Sequence, residues 1–78
     1  MNNNKLFKIN ELIKEGKIQE AHIEVSKLGV EHHKDLEYLY IRGILFYKNK
    51  LYYAAIDTLL VALEFGKSDK VYELLSKV

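Results

Sequence analysis

The sequence predicts an all-α fold of five helices, most of them paired into hairpins, and three observations predict it. Apolar residues recur at spacings of three and four and never in sustained strict alternation, which is the helical period rather than that of a strand. Turn signals at Glu15-Gly16-Lys17, Gly29, Lys48-Asn49-Lys50 and Gly66 cut the chain into helix-sized pieces. The chain also lines up with itself at an offset of 34 residues, so one helix–turn–helix unit is written twice.

The first helix follows an asparagine cap in Asn2–Asn4 and runs to about Lys14, with Leu6, Phe7, Ile9, Leu12 and Ile13 as its apolar stripe. Gly16 suits a left-handed C-terminal cap. A second helix spans about Ile18 to Leu28, where Ile18, Ala21, Val25 and Leu28 make one face and Gln19, Glu20, Glu24 and Lys27 the solvated remainder. Gly29 ends it, and Val30–Lys34 connects to the third. Asp35 is the N-cap of that third helix, which ends near Lys48. It carries so many apolar residues, from Leu36 to Tyr47, that more than one side must be covered. The fourth helix, about Leu51–Phe65, has the same character and stops at Gly66. Ser68 or Asp69 caps a last helix bearing Val71, Tyr72, Leu74, Leu75 and Val78. Gly43 lies inside the third helix, where glycine costs about 1 kcal/mol against alanine. Its use there predicts close approach of the fourth helix, with Ala55 and Ala62 opposite.

Seventy-eight residues make one small domain, near the size at which a single core is barely sufficient. A net charge of +1, with both signs mixed along the helices, gives no basic face for nucleic acid or an anionic membrane. The absence of cysteine removes disulfides, thiol catalysis and the common zinc patterns together. No apolar run approaches the ~20 residues of a membrane span, and the N-terminus lacks the apolar core of a signal peptide. These features predict a soluble, cytoplasmic protein.

At the 34-residue offset Ile9 falls on Gly43, Leu12 on Phe46, Gly16 on Lys50 and Ile18 on Tyr52. Ala21 falls on Ala55, Val25 on Leu59 and Leu28 on Ala62. Leu39-x2-Arg42-Gly43-x2-Phe46, followed by Ala55-x3-Leu59, resembles the tetratricopeptide repeat. Gly43, Phe46, Tyr52, Ala55, Leu59 and Ala62 stand at its packing positions. Arg42 for an aliphatic residue, Lys67 for proline and Ile9 for a small residue depart from it. The resemblance covers roughly residues 3–78. It implies right-handed helical hairpin repeats, with unit one at about 3–34, unit two at about 35–68 and a terminal helix at about 69–78. An unrelated antiparallel bundle is the plainer alternative.

That resemblance implies a concave groove, lined by the first helix of each unit, that takes a peptide or a helix. The corresponding line here is Leu6, Asn10, Ile13, Tyr40, Ile44, Tyr47, Leu74 and Val78, flanked by Ile41 and Leu75. Of the clamp that some such domains use for a C-terminal carboxylate, Asn10 alone survives; Leu6, Ile41, Val71 and Leu75 stand where lysine, asparagine or arginine is needed. An apolar peptide or amphipathic helix therefore suits the groove better, unless the terminal helix fills it. Tyr53, Leu60 and Val61 form a second apolar surplus on the outer side of the fourth helix. With only two units to bury it, this surplus predicts self-association.

Catalytic and cofactor chemistry has no foothold in the sequence. His22, His32 and His33 have no partners at metal-ligand spacing, Ser26, Ser68 and Ser76 lie in no nucleophile motif, and no glycine-rich phosphate cradle exists. The carboxylates mostly find lysines along their own helices, as Glu11 does with Lys14. The expectation is a non-enzymatic protein-binding adaptor without metal, cofactor or nucleic acid. A small secretion or assembly chaperone shielding an apolar client helix is the alternative, and a nucleic-acid-associated helical protein a remote one.

Overall fold

In a computed structural model that describes residues 3–28 and 34–78, local sequence signals account for some of the helix ends. The helices are α1 (Asn3–Lys14), α2 (Ile18–Ser26), α3 (Leu36–Lys48), α4 (Tyr52–Phe65) and α5 (Asp69–Lys77), with no strand among the described residues. The Asp35 side chain accepts the backbone N–H of Glu37 at 2.9 Å, the N-cap bond expected there. Ser68 takes the N-cap position of α5 in extended backbone, but its side chain makes no capping bond. The α2 helix ends two residues earlier than its apolar pattern suggests. There the N–H groups of Lys27 and Leu28 reach back only three residues, tightening the last turn. Asn3 and Asn4 lie within α1. Asn2, Gly29, Val30, His32 and His33, placed by their sequence positions at a cap, a stop and a connection, fall outside the described residues.

The turns of the two hairpins share one backbone geometry. Gly16 has φ +80° and Lys50, its counterpart 34 positions later, has φ 64°. The Lys17 N–H bonds the Leu12 carbonyl at 2.8 Å and Gly16 that of Ile13 at 3.0 Å; Leu51 bonds Phe46 at 2.9 Å and Lys50 bonds Tyr47 at 3.0 Å. This is the paired 6→1 and 5→2 bonding of a Schellman motif, and it occurs in both hairpin turns. The two turns differ in what occupies the left-handed position. Lysine there is strained by its Cβ, at about 1–2 kcal/mol, whereas glycine is at ease. Lys50→Gly is therefore expected to stabilise the chain by up to about 1 kcal/mol after its added unfolded-state entropy, raising Tm by roughly 4–8 °C. A Cβ at Gly16 would meet nothing within 4 Å, so Gly16→Ala should lose about 1 kcal/mol through backbone strain alone. Thermal melts of both variants check the pair.

Tertiary packing is organised around α3, which touches all four other helices. The α1, α3 and α5 helices stand in a row; α2 packs on α1 and α3, and α4 on α3 and α5. The nearly all-round apolar character of α3 is thereby used: Tyr38, Leu39, Ile41, Gly43 and Leu45 are all buried. Gly43 does provide a close approach, and the nearest atoms of α4 are those of Leu59. A Cβ at Gly43 would lie 2.5 Å from Leu59 Cδ2 and 2.8 Å from its Cγ, so the glycine is a notch filled by the Leu59 side chain. Ala55 and Ala62 are fully buried beside it. The Cα radius of gyration, 11.5 Å, is about that of a compact chain of this length.

Candidate functional site

The face of the helix row bearing Tyr40 holds the expected groove residues, but in two different conditions. Asn10, Ile13, Tyr40, Ile44, Tyr47 and Leu75 are half-buried, and the apolar ones pack against the core with their outer sides open. Leu6, Ile41 and Leu74 are buried and belong to the core itself, so they are not groove wall. A helix turns 100° per residue, and Ile41 next to Tyr40 is carried round towards the interior. The α5 helix packs on α3 and α4, the next place in the row, rather than lying across α1.

A polar bridge crosses this face at the N-terminal end of α3. Glu37 accepts from Asn10 Nδ2 of α1 at 3.4 Å and lies 3.9 Å from Lys70 Nζ of α5, so one carboxylate links all three helices of the row. Lys70 Nζ also stands 5.8 Å from the centre of the Tyr40 ring. Burial, with the negative charges of Glu37 and Glu73 beside it, raises the Tyr40 phenol above its ordinary range. The sequence reading missed Glu37, Lys70, Glu73 and the exposed Phe7. Spacing could have found some of them: Glu37 lies three residues before Tyr40 and Phe7 three before Asn10, each pair on one helix face.

On the other side of α3, Arg42 shows why a cation can replace an aliphatic residue. Its guanidinium lies 5.2 Å from the Phe46 ring centre and 5.9 Å from that of Tyr38, and it donates to the Tyr38 hydroxyl at 3.2 Å. The stem packs while the charge stacks on rings. Phe46 is accordingly half-buried. Tyr52, assigned to repeat packing, is instead exposed and tilts against Tyr47 with ring centres 5.8 Å apart. A cleft of about 290 Å³ opens beside Arg42, with His22, Val25 and Ser26 of α2 on its far wall. The Asn49 amide donates to His22 Nε2, tying α2 to the turn after α3.

The outer face of α4 is an open apolar surface. Tyr53 is 87% exposed and Leu60 50%, and Val61 is exposed beside them, as their sequence positions required. Leu51, Tyr52 and Phe65 extend the exposed apolar set to both ends of the helix.

Two hairpins and a fifth helix, with α3 of the second hairpin at the centre of the packing, define an all-α helical-hairpin protein. The chain matches no protein-family model, no curated protein and no solved structure. No described helix is long and apolar enough to cross a membrane, and no group of His, Asp or Glu among the described residues could hold a metal ion.

Proposed function

We propose that this chain is a non-catalytic interaction module that acts by binding the apolar side of another protein's helix or peptide. The observation that carries the reading is where the exposed large apolar side chains lie. Of nine among the described residues, six (Leu51, Tyr52, Tyr53, Leu60, Val61 and Phe65) belong to α4 or the residue before it. Isolated exposed apolar residues are ordinary, whereas a cluster on one element marks an interaction surface. The face bearing Tyr40 offers a second surface, reduced to Ile13, Tyr40, Ile44, Tyr47, Leu75 and Val78 around the Glu37 bridge. The 34-residue recurrence of turn geometry supports the resemblance to tetratricopeptide repeats, whose mode of action is the same.

Affinity capture followed by mass spectrometry, run with wild type, Tyr40→Ala/Tyr47→Ala and Tyr53→Glu/Leu60→Asp, tests the proposal. A specific partner retained by the wild type should be lost with the α4 variant if that face is used, and with the tyrosine variant if the Tyr40 face is. Identical catches from all three would overturn both surfaces. Self-association through Tyr53, Leu60 and Val61 is the competing use of the α4 face. Sedimentation at micromolar concentration separates the two.

A further inference from the structure

Between the apolar residues on the outer face of α4 stand charges of one sign only. Tyr53, Asp57, Leu60, Val61 and Glu64 follow one another at helical spacing and are all exposed. The α4 helix contains no lysine or arginine, and neither Asp57 nor Glu64 has an ion-pair partner among the described residues. This is a local feature, because the chain as a whole carries a net charge of +1.

Those two carboxylates discriminate among occupants. In an antiparallel pair of α4 helices centred on Leu60 and Val61, Asp57 of one copy faces Glu64 of the other. Sliding the register until Glu64 meets Lys50 of the second copy brings Asp57 against its own equivalent. A parallel two-fold pair sets Asp57 on Asp57 and Glu64 on Glu64. None of these registers gives both acids a cation, and covering an unpaired carboxylate or facing it with its like is unfavourable. A cationic partner has no such conflict. Asp57 and Glu64 are seven residues apart, about 10 Å along the helix, with Leu60 and Val61 between them.

We infer that the outer face of α4 docks a basic amphipathic helix of another protein, one with lysine or arginine at seven-residue spacing flanking an apolar patch, in preference to a second copy of this chain. The inference rests on the reading of this chain as an interaction module and supplies the chemistry of the partner. Charge pairing at the rim selects the partner and its register, while Tyr53, Leu60 and Val61 supply the apolar contact.

Two synthetic helical peptides of about 18 residues test it, long enough to hold helical structure in water. Both carry leucines three and four residues apart; one has lysine at the two flanking positions seven apart, the other glutamate. Titrated into the isotopically labelled full chain and followed by amide NMR, the lysine peptide should bind at least about tenfold more tightly. It should also shift the resonances of Tyr53, Leu60 and Val61. Asp57→Lys/Glu64→Lys should reverse the ranking, and circular dichroism checks that this variant remains folded. Equal affinity for the two peptides, binding that leaves α4 unshifted, or no binding by either would overturn the inference. So would a wild-type dimer that Tyr53→Glu dissociates. The affinity-capture comparison stands apart from these peptides: a captured partner lost with the α4 variant but lacking a basic helix would end this inference and leave the interaction reading intact.

Discussion

Leu59→Ala is expected to cost about 2–5 kcal/mol, the range for truncating a buried leucine that leaves a cavity. Leu59 is fully buried and fills the notch that Gly43 leaves in α3, at the contact between the two helices of the second unit. A domain of this length has a total stability of about 4–12 kcal/mol, so the loss takes a large share of it. The same contact predicts a non-additive partner. Gly43→Ala places a methyl group against fully buried Leu59, whose side chain must then shift, and should destabilise by about 1 kcal/mol or more despite alanine's better helix propensity. In the Leu59→Ala background the obstruction is gone, and the same change should be neutral or stabilising by up to about 1 kcal/mol. Urea denaturation of the four proteins gives the coupling energy, expected at about 1 kcal/mol or above. Additive losses would mean that the notch does not constrain Leu59.

Two positions on one helix, two residues apart, should behave in opposite ways. Ala55 is fully buried where α4 faces α3, and Ala55→Leu forces three extra carbons into that contact. Overpacking of this kind costs about 1–3 kcal/mol, and more where the backbone cannot shift, lowering Tm by roughly 4–8 °C for each kcal/mol. Tyr53 and Leu60 point outwards, so Tyr53→Glu/Leu60→Asp should stay within about 1 kcal/mol of wild type while losing the partner. Circular dichroism melts rank the two variants. Unfolding by the surface pair would place those side chains in the core and remove the basis for an α4 interface.

The resemblance-based groove shows where reading along the chain stops being sufficient. Spacing put Tyr40, Ile44 and Tyr47 on one stripe of α3, and they do lie together, half-open and packed on the core. It could not separate Ile41 from that stripe, nor Leu6 and Leu74 from theirs, because an apolar face broad enough to line a groove is also broad enough to be core. The neighbours decide which. Leu6, Ile41 and Leu74 are all drawn into the one buried cluster, which also contains Tyr38 and Val71. Tyr52 went the other way: it sits at the same place in its unit as half-buried Ile18, yet it is exposed.

What the sequence by itself determined was everything closed within about five residues. The five helical segments follow from periodicity, and the Asp35 cap and the turns at Gly16 and Lys50 from local hydrogen bonds. Tertiary structure alone decided that Leu59 fills the Gly43 notch, that Glu37 joins Asn10 to Lys70, and that Leu6, Ile41 and Leu74 are interior. The physical reason is that backbone bonding is set by a residue's own neighbours in the chain. Burial and long-range pairing depend instead on where separate helices come to rest against one another, and in this protein that is settled by how the other four arrange themselves round α3.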